Sequence, residues 1–240
     1  MAQAGKISEE ARKKFQQKNT PRKIDVRKAR EYYLIVCEGA KTEPRYFEAL
    51  VKDLPHPVAE VIYFDVKGEG RVTLSLVEHA IKMREKLEQT HTRYIDNVWV
   101  VFDYDDFKEF NDAIARCEQE NIKKPFVKAA FTNEAFELWF LLHFNYHDTA
   151  MSRSQYKAKL NEAISKAAGK EFKYEKNDPN IYYVLKQFGR QDLAIRFADK
   201  LINDMWGNKK DYANHNPRTN VHELVIELFG LETQLETKEE

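Results

Sequence analysis

Apolar positions along the chain fall into short unbroken runs separated by longer amphipathic stretches. Tyr32–Cys37, Val61–Val66, Val98–Phe102 and Phe126–Phe131 are dominated by β-branched and aromatic residues. Runs of this length and composition predict strands buried on both faces, as in a parallel sheet. Between them, Tyr46, Phe47 and Leu50 recur at helical spacing, as do Leu74, Val77, Ile81 and Leu87, and then Phe110, Ile114 and Cys117. These spacings predict helices starting near Thr42, over Thr73–Leu87 and over Phe110–Glu120, with Thr42 or Glu43 at the first cap and Pro44 in its first turn. Phe136–Phe144 reads as a fourth helix. Residues 31–145 thus alternate strand and helix four times, which predicts a mostly parallel four-stranded sheet flanked by helices.

Residues 146–240 read as a helical continuation packed on that core. Helices are expected over Ile181–Phe188, Asp192–Trp206 and Val221–Phe229, with loops over Phe172–Asp178 and Asn214–Asn220. Residues 1–30 carry ten Lys and Arg with no strong apolar period, and form a basic N-terminal arm, either solvated or touching phosphate. Gly68 and Gly70 mark a turn, and Asp106 is placed to cap the third helix.

Composition narrows the class. The chain has 240 residues, 42% apolar and 32% charged, enough for one folded core. Eight glycines and seven prolines favour long regular elements over a many-turned β-sandwich. Formal net charge is zero, which by itself lends no support to a nucleic-acid partner. Cys37 and Cys117 lie far apart in expected core positions, so neither a disulfide framework nor a zinc spacing is present, consistent with a reducing cytoplasm. Neither a signal-peptide h-region nor an apolar run of membrane-spanning length is seen, and no membrane partner is expected. No Walker motif and no nucleophile elbow occurs, which sets aside ATP hydrolysis and serine hydrolysis.

The candidate chemistry is acidic. Glu38 ends the first strand, and Asp103 and Asp105 end the third. In parallel sheets ligands bind beyond the C-terminal ends of the strands. Hard divalent cations prefer carboxylate oxygens, and a metal held there can polarise a phosphoryl oxygen and generate hydroxide. Asp-rich turns after strands also occur simply to satisfy backbone; the third carboxylate, Glu38, favours the metal reading. Tyr104, between the two aspartates, is expected to point the other way, into packing.

The order strand–Glu38-Gly39–helix, then strand–Asp103-Tyr104-Asp105, resembles the Toprim domain of topoisomerases, primases and OLD-type nucleases. Three segments resemble the RloB-like family of phage-defence proteins: Val36–Phe47 (VCEGAKTEPRYF), Phe131–Phe144 (FTNEAFELWFLLHF) and Asn216–His222 (NPRTNVH). The resemblance implies a Toprim fold, Mg²⁺ dependence with Mn²⁺ as a substitute, and a nucleolytic role in abortive defence. It favours RNA, including tRNA, over DNA, and suggests an ABC-type ATPase partner; self-association is left open. Glu38, Asp103 and Asp105 match the Toprim acids. Glu134 departs from the family pattern, as an added ligand or a neutral change.

Around this centre, Glu137 follows the fourth strand in an apolar segment and is either a further metal ligand, paired, or on a polar face. Asn133 either orients a ligand or caps a helix. Lys41, in the loop entering the first helix, either steadies a phosphate or is solvated. Glu43 is a base or a first-turn acid, and His143 a proton donor or a core histidine. His215 and His222 flank the Asn216-Pro217 turn without a matching nucleophile. The leading expectation is a metal-dependent nuclease with Glu38, Asp103, Asp105 and Glu137 as ligands, Glu38 alternatively as base, and Lys41 assisting. The alternative is a non-catalytic nucleic-acid- or ATPase-binding subunit of a defence complex.

Overall fold

A computed structural model describes residues 31–54, 59–65, 73–90, 94–105, 108–122, 124 and 126–230. The basic arm, the Gly68–Gly70 turn and Asp106 lie outside the described residues. The elements are β1 (Glu31–Cys37), α1 (Thr42–Lys52), β2 (Ala59–Asp65), α2 (Thr73–Thr90), β3 (Asn97–Asp103), α3 (Phe110–Glu120), β4 (Phe126–Asn133) and α4 (Glu137–Leu142). The second half adds α5 (Tyr156–Ala168), α6 (Ile181–Phe188), α7 (Gln191–Leu201), β5 (Arg218–Thr219) and α8 (Val221–Phe229). The order across the sheet is β2-β1-β3-β4-β5.

The four expected strands are all parallel. A fifth, where a loop was expected over Asn214–Asn220, pairs antiparallel with the end of β4, Thr132 to Thr219 and Asn133 to Arg218. Two residues are too few for alternation to reveal a strand. The same pairing extends β4 to Asn133.

Strand side chains alternate between two apolar layers, as the pleat requires. Leu34, Val36, Val98, Val100, Phe102, Val127 and Phe131 meet α2 and α3. Tyr33, Ile35, Cys37, Trp99, Val101 and Ala130 meet α1 and the helices from α4 onward in one continuous core. Both cysteines are buried, and neither is in a disulfide. Tyr104 packs edge-on to Phe110, 5.1 Å between ring centroids, as expected from its parity.

The helix expected over Asp192–Trp206 stops at Leu201 and continues as a wide turn through Trp206, closed by Gly207 N–H on the Ile202 carbonyl at 2.6 Å. There Trp206 donates to the Pro217 carbonyl at 2.9 Å and stacks on His215, contacts made by the tertiary fold. Among the described residues, no helix is long and apolar enough to cross a membrane.

Candidate active site at the sheet's switch point

β1 pairs with β2 on one side and β3 on the other, so the chain reverses its direction of spread between β1 and β3. Open parallel sheets place their ligand crevice at that point. Glu38 and Asp103 end these two strands. The backbone N–H of Asp103 donates to Glu38 Oε2 at 3.3 Å, and Glu38 N–H donates to the Val101 carbonyl at 2.9 Å. The first carboxylate is therefore tied to the strand that carries the second.

Asp103 is buried. Its Oδ2 accepts the Phe136 N–H at 3.1 Å, and its Oδ1 is buried with no hydrogen-bond partner among the described residues. Asp105 is exposed and ion-paired to Arg153, whose Nη2 also lies 3.8 Å from Asp103 Oδ2. Arg153 is fixed in turn by Glu134: Arg153 N–H donates to Glu134 Oε2 at 2.7 Å, and Nη2 to the Glu134 carbonyl at 3.1 Å. Glu134 thus anchors the arginine.

Glu137 opens α4 and is buried, accepting the Tyr174 hydroxyl at 3.1 Å. Glu43 is buried in the first turn of α1, and a Cβ at position 39 would collide with its carboxylate. Gly39 is what lets this acid fold back toward the crevice. Thr42 does not cap the helix; Lys41 holds the cap position and Thr42 donates to Asn177 Oδ1 at 2.8 Å. Arg45 donates to the Asn177 carbonyl. Asn177 adopts the left-handed conformation, φ 70°, so the loop before α6 clamps the start of α1 and with it Glu43.

The electrostatics follow from crowding acids out of water. Burial pushes the Glu38 carboxyl up to about 7, against the Asp103 N–H, with Asp105 and Glu43 adding to the rise and Arg153 opposing it. Burial raises Asp103 well above the usual carboxylate range, reinforced by Glu43 and Glu137 and opposed by Arg153 and the Phe136 N–H. Burial raises Glu43 as well, with Glu137 adding and Lys176 and Arg153 opposing. Burial also raises Tyr156, the charge of Asp103 adding to it. The cluster is short of positive charge, and an unpartnered Asp103 oxygen sits at its centre.

These residues fit a hard divalent cation by donor chemistry. Among the described residues no group of three or more His, Cys, Asp or Glu side chains is gathered closely enough to hold a metal ion. Mg²⁺ is commonly bound through one or two carboxylates and waters, which suits Asp103 with Glu38 or Asp105.

Glu38, Asp103 and Asp105 lie together at the ends of β1 and β3, and Glu137 acts on Asp103 through space, but the four-carboxylate ligand set expected from the sequence is not gathered among the described residues. Other candidates are corrected. Asn133 is a strand residue, not a helix cap; its amide donates to the Tyr212 and Ala213 carbonyls at 3.1 and 2.9 Å. His143 is buried against Trp139, bonded to the Trp139 carbonyl at 2.9 Å, and burial pushes it down to about 4. It lines a cavity with Asp53, Tyr182 and Lys186 instead of facing the acids. Lys41 is exposed at the mouth of the crevice. His215 stacks on Trp206, ring centroids 4.5 Å apart, and His222 is buried. Arg153, Tyr174 and Asn177 carried no signal in sequence, because an arginine in a polar turn and a tyrosine in a loop acquire meaning only from what they meet.

The strand order and the acids at the switch point define a Toprim-type α/β protein. The chain belongs to the RloB-like family: the family described as RloB-like protein matches residues 33–228. No curated protein and no solved structure matches the chain.

Proposed function

We propose that the chain is a Mg²⁺-dependent endonuclease that cleaves nucleic-acid phosphodiesters, RNA in preference to DNA, as an effector of abortive phage defence. The observation that carries this reading is the unpartnered, buried Asp103 oxygen among carboxylates at the switch point of a parallel sheet. A bound divalent ion supplies charge neutralisation at the phosphate and an acidified water. Asp103 and Asp105 would hold it, with Glu137 completing the surroundings. Glu38, held near 7, is poised to accept a proton from the attacking water or ribose hydroxyl. Arg153, beside Asp103 and Asp105, would neutralise charge on the scissile phosphate. Lys41 stands at the start of α1, where a phosphate meets both its charge and the helix N-terminus.

The test compares wild type and Asp103→Asn on total RNA and plasmid DNA with Mg²⁺, Mn²⁺ or EDTA. The expected outcome is metal-dependent RNA cleavage, reduced about 100-fold or more in the variant.

One observation favours a second reading, a non-catalytic subunit that binds nucleic acid or an ABC-type ATPase. Arg153 is ion-paired with Asp105, one of the carboxylates a metal would need. If RNA and DNA stay intact with every metal, with and without the cognate ATPase, this second reading replaces the first.

A further inference from the structure

The Asn216–His222 motif contributes no carboxylate to the acidic centre, yet it builds a second feature. A cleft of about 650 Å³ runs along the outer edge of β4, between α3 and α8, and none of the acids of the crevice lines it. Its size is that of a small-molecule site. Its inner end is made by Arg218.

Arg218 is only 8% exposed. Its Nε is buried with no hydrogen-bond partner, and Nη1 meets His215 Nδ1 at 3.1 Å. It forms no ion pair with any described carboxylate; Glu223 acts on it only through space. The guanidinium lies 4.8 Å from the Tyr212 ring centroid and 5.5 Å from that of Phe131. Guanidinium does not deprotonate in proteins, so among the described residues this is a buried positive charge without an ion pair, a costly arrangement unless an anion joins it.

The remaining lining limits which anion. Lys128 is already taken by Glu227 at 2.6 Å, and Glu118 by Lys210 at 2.6 Å. That leaves one free cation inside and one carboxylate, Glu223, at the exposed rim among the described residues. A nucleic-acid strand or a triphosphate brings several phosphates, whereas the single free guanidinium can hold one. Tyr212 and Ile226, partly exposed, give the wall apolar surface suited to a flat ring. Asn121 and Glu223 are there to meet ring amines.

We propose that the cleft beside β4 binds one phosphate carried on a flat, amine-bearing ring, the chemistry of a nucleoside monophosphate, with Arg218 holding the phosphate. This site is separate from the acidic crevice and does not depend on the nuclease reading.

The test is isothermal titration calorimetry of the full chain in EDTA with AMP and with inorganic phosphate. AMP is expected to bind at least about tenfold more tightly than phosphate, and Arg218→Lys to weaken AMP by at least about tenfold. Because Arg218 is buried, a second variant, Ile226→Trp, fills the cleft from the partly exposed face of α8; it should abolish binding while leaving the circular dichroism spectrum unchanged. Asp103→Asn should bind AMP as wild type does. The proposal fails if AMP gives no heat at millimolar concentration, if phosphate binds as tightly, if Ile226→Trp binds normally, or if Asp103→Asn loses binding.

Discussion

Arg153 reaches two acids at once: it is ion-paired with Asp105, and its Nη2 lies 3.8 Å from Asp103 Oδ2. It supplies positive charge among buried carboxylates, held there by Glu134. Arg153→Gln should lower the melting temperature of the metal-free protein by several degrees and enlarge the rise produced by Mg²⁺, because the carboxylates then rely on the ion alone. Thermal unfolding with and without Mg²⁺ checks both effects. An unchanged Mg²⁺ increment means the arginine and the ion do not share a place.

Gly39 and Glu43 are in contact through the space a Cβ would fill. Gly39→Ala should cost about 1–3 kcal/mol by overpacking and push Glu43 out of the crevice. Since the collision is with one side chain, Glu43→Ala should relieve most of it, and the double variant should be far less destabilised than the sum of the two. Urea unfolding of the four proteins measures the coupling, and additivity would rule the contact out as the cause.

Asn220 does the work of a strand at the edge of β4. Its Oδ1 accepts Phe131 N–H at 2.7 Å and its Nδ2 donates to the Ala129 carbonyl at 2.8 Å. Asn220→Ala leaves both backbone groups without these partners and should destabilise the protein by about 2–4 kcal/mol. Hydrogen exchange at the Phe131 amide should accelerate alongside, which a general loss of stability without edge opening does not predict.

Burial disfavours the charged form of His143 and pushes it down to about 4, against 6.5 for an unburied imidazole. A depressed folded value means the contribution is fully present above 6.5 and is lost as pH falls from 6.5 toward 4. The loss should amount to a few kcal/mol at the acid end. Unfolding free energy measured from pH 7 to pH 4 should show a shallower acid slope in His143→Gln. His222, which burial and then the Arg218 charge push down to about 4, adds a second loss with the same sign in both proteins.

The acidic rim was legible because strand ends are local events. Apolar runs stop at Glu38 and at Asp103, and a parallel sheet carries such ends to one edge. Glu137 was legible for a related reason, as a carboxylate inside an apolar segment. The helix-cap alternative for Asn133 failed because Asn133 pairs with β5 and stays in β4, and that pairing joins positions 85 or more apart in the chain.

The sequence by itself determined the alternation of strands and helices, the parallel sheet and the acids at its rim, since hydrophobic period and strand termination are written in neighbouring residues. Only the tertiary structure decided that Arg153 lies on Asp105, that Tyr174 bonds Glu137, and that Asn177 holds the start of α1. It likewise left Arg218 buried without an ion pair to a described carboxylate, at the end of a cleft. Those partners come from loops and short segments with no periodicity of their own. A polar side chain there has many acceptors it could satisfy, and packing of the whole chain selects one.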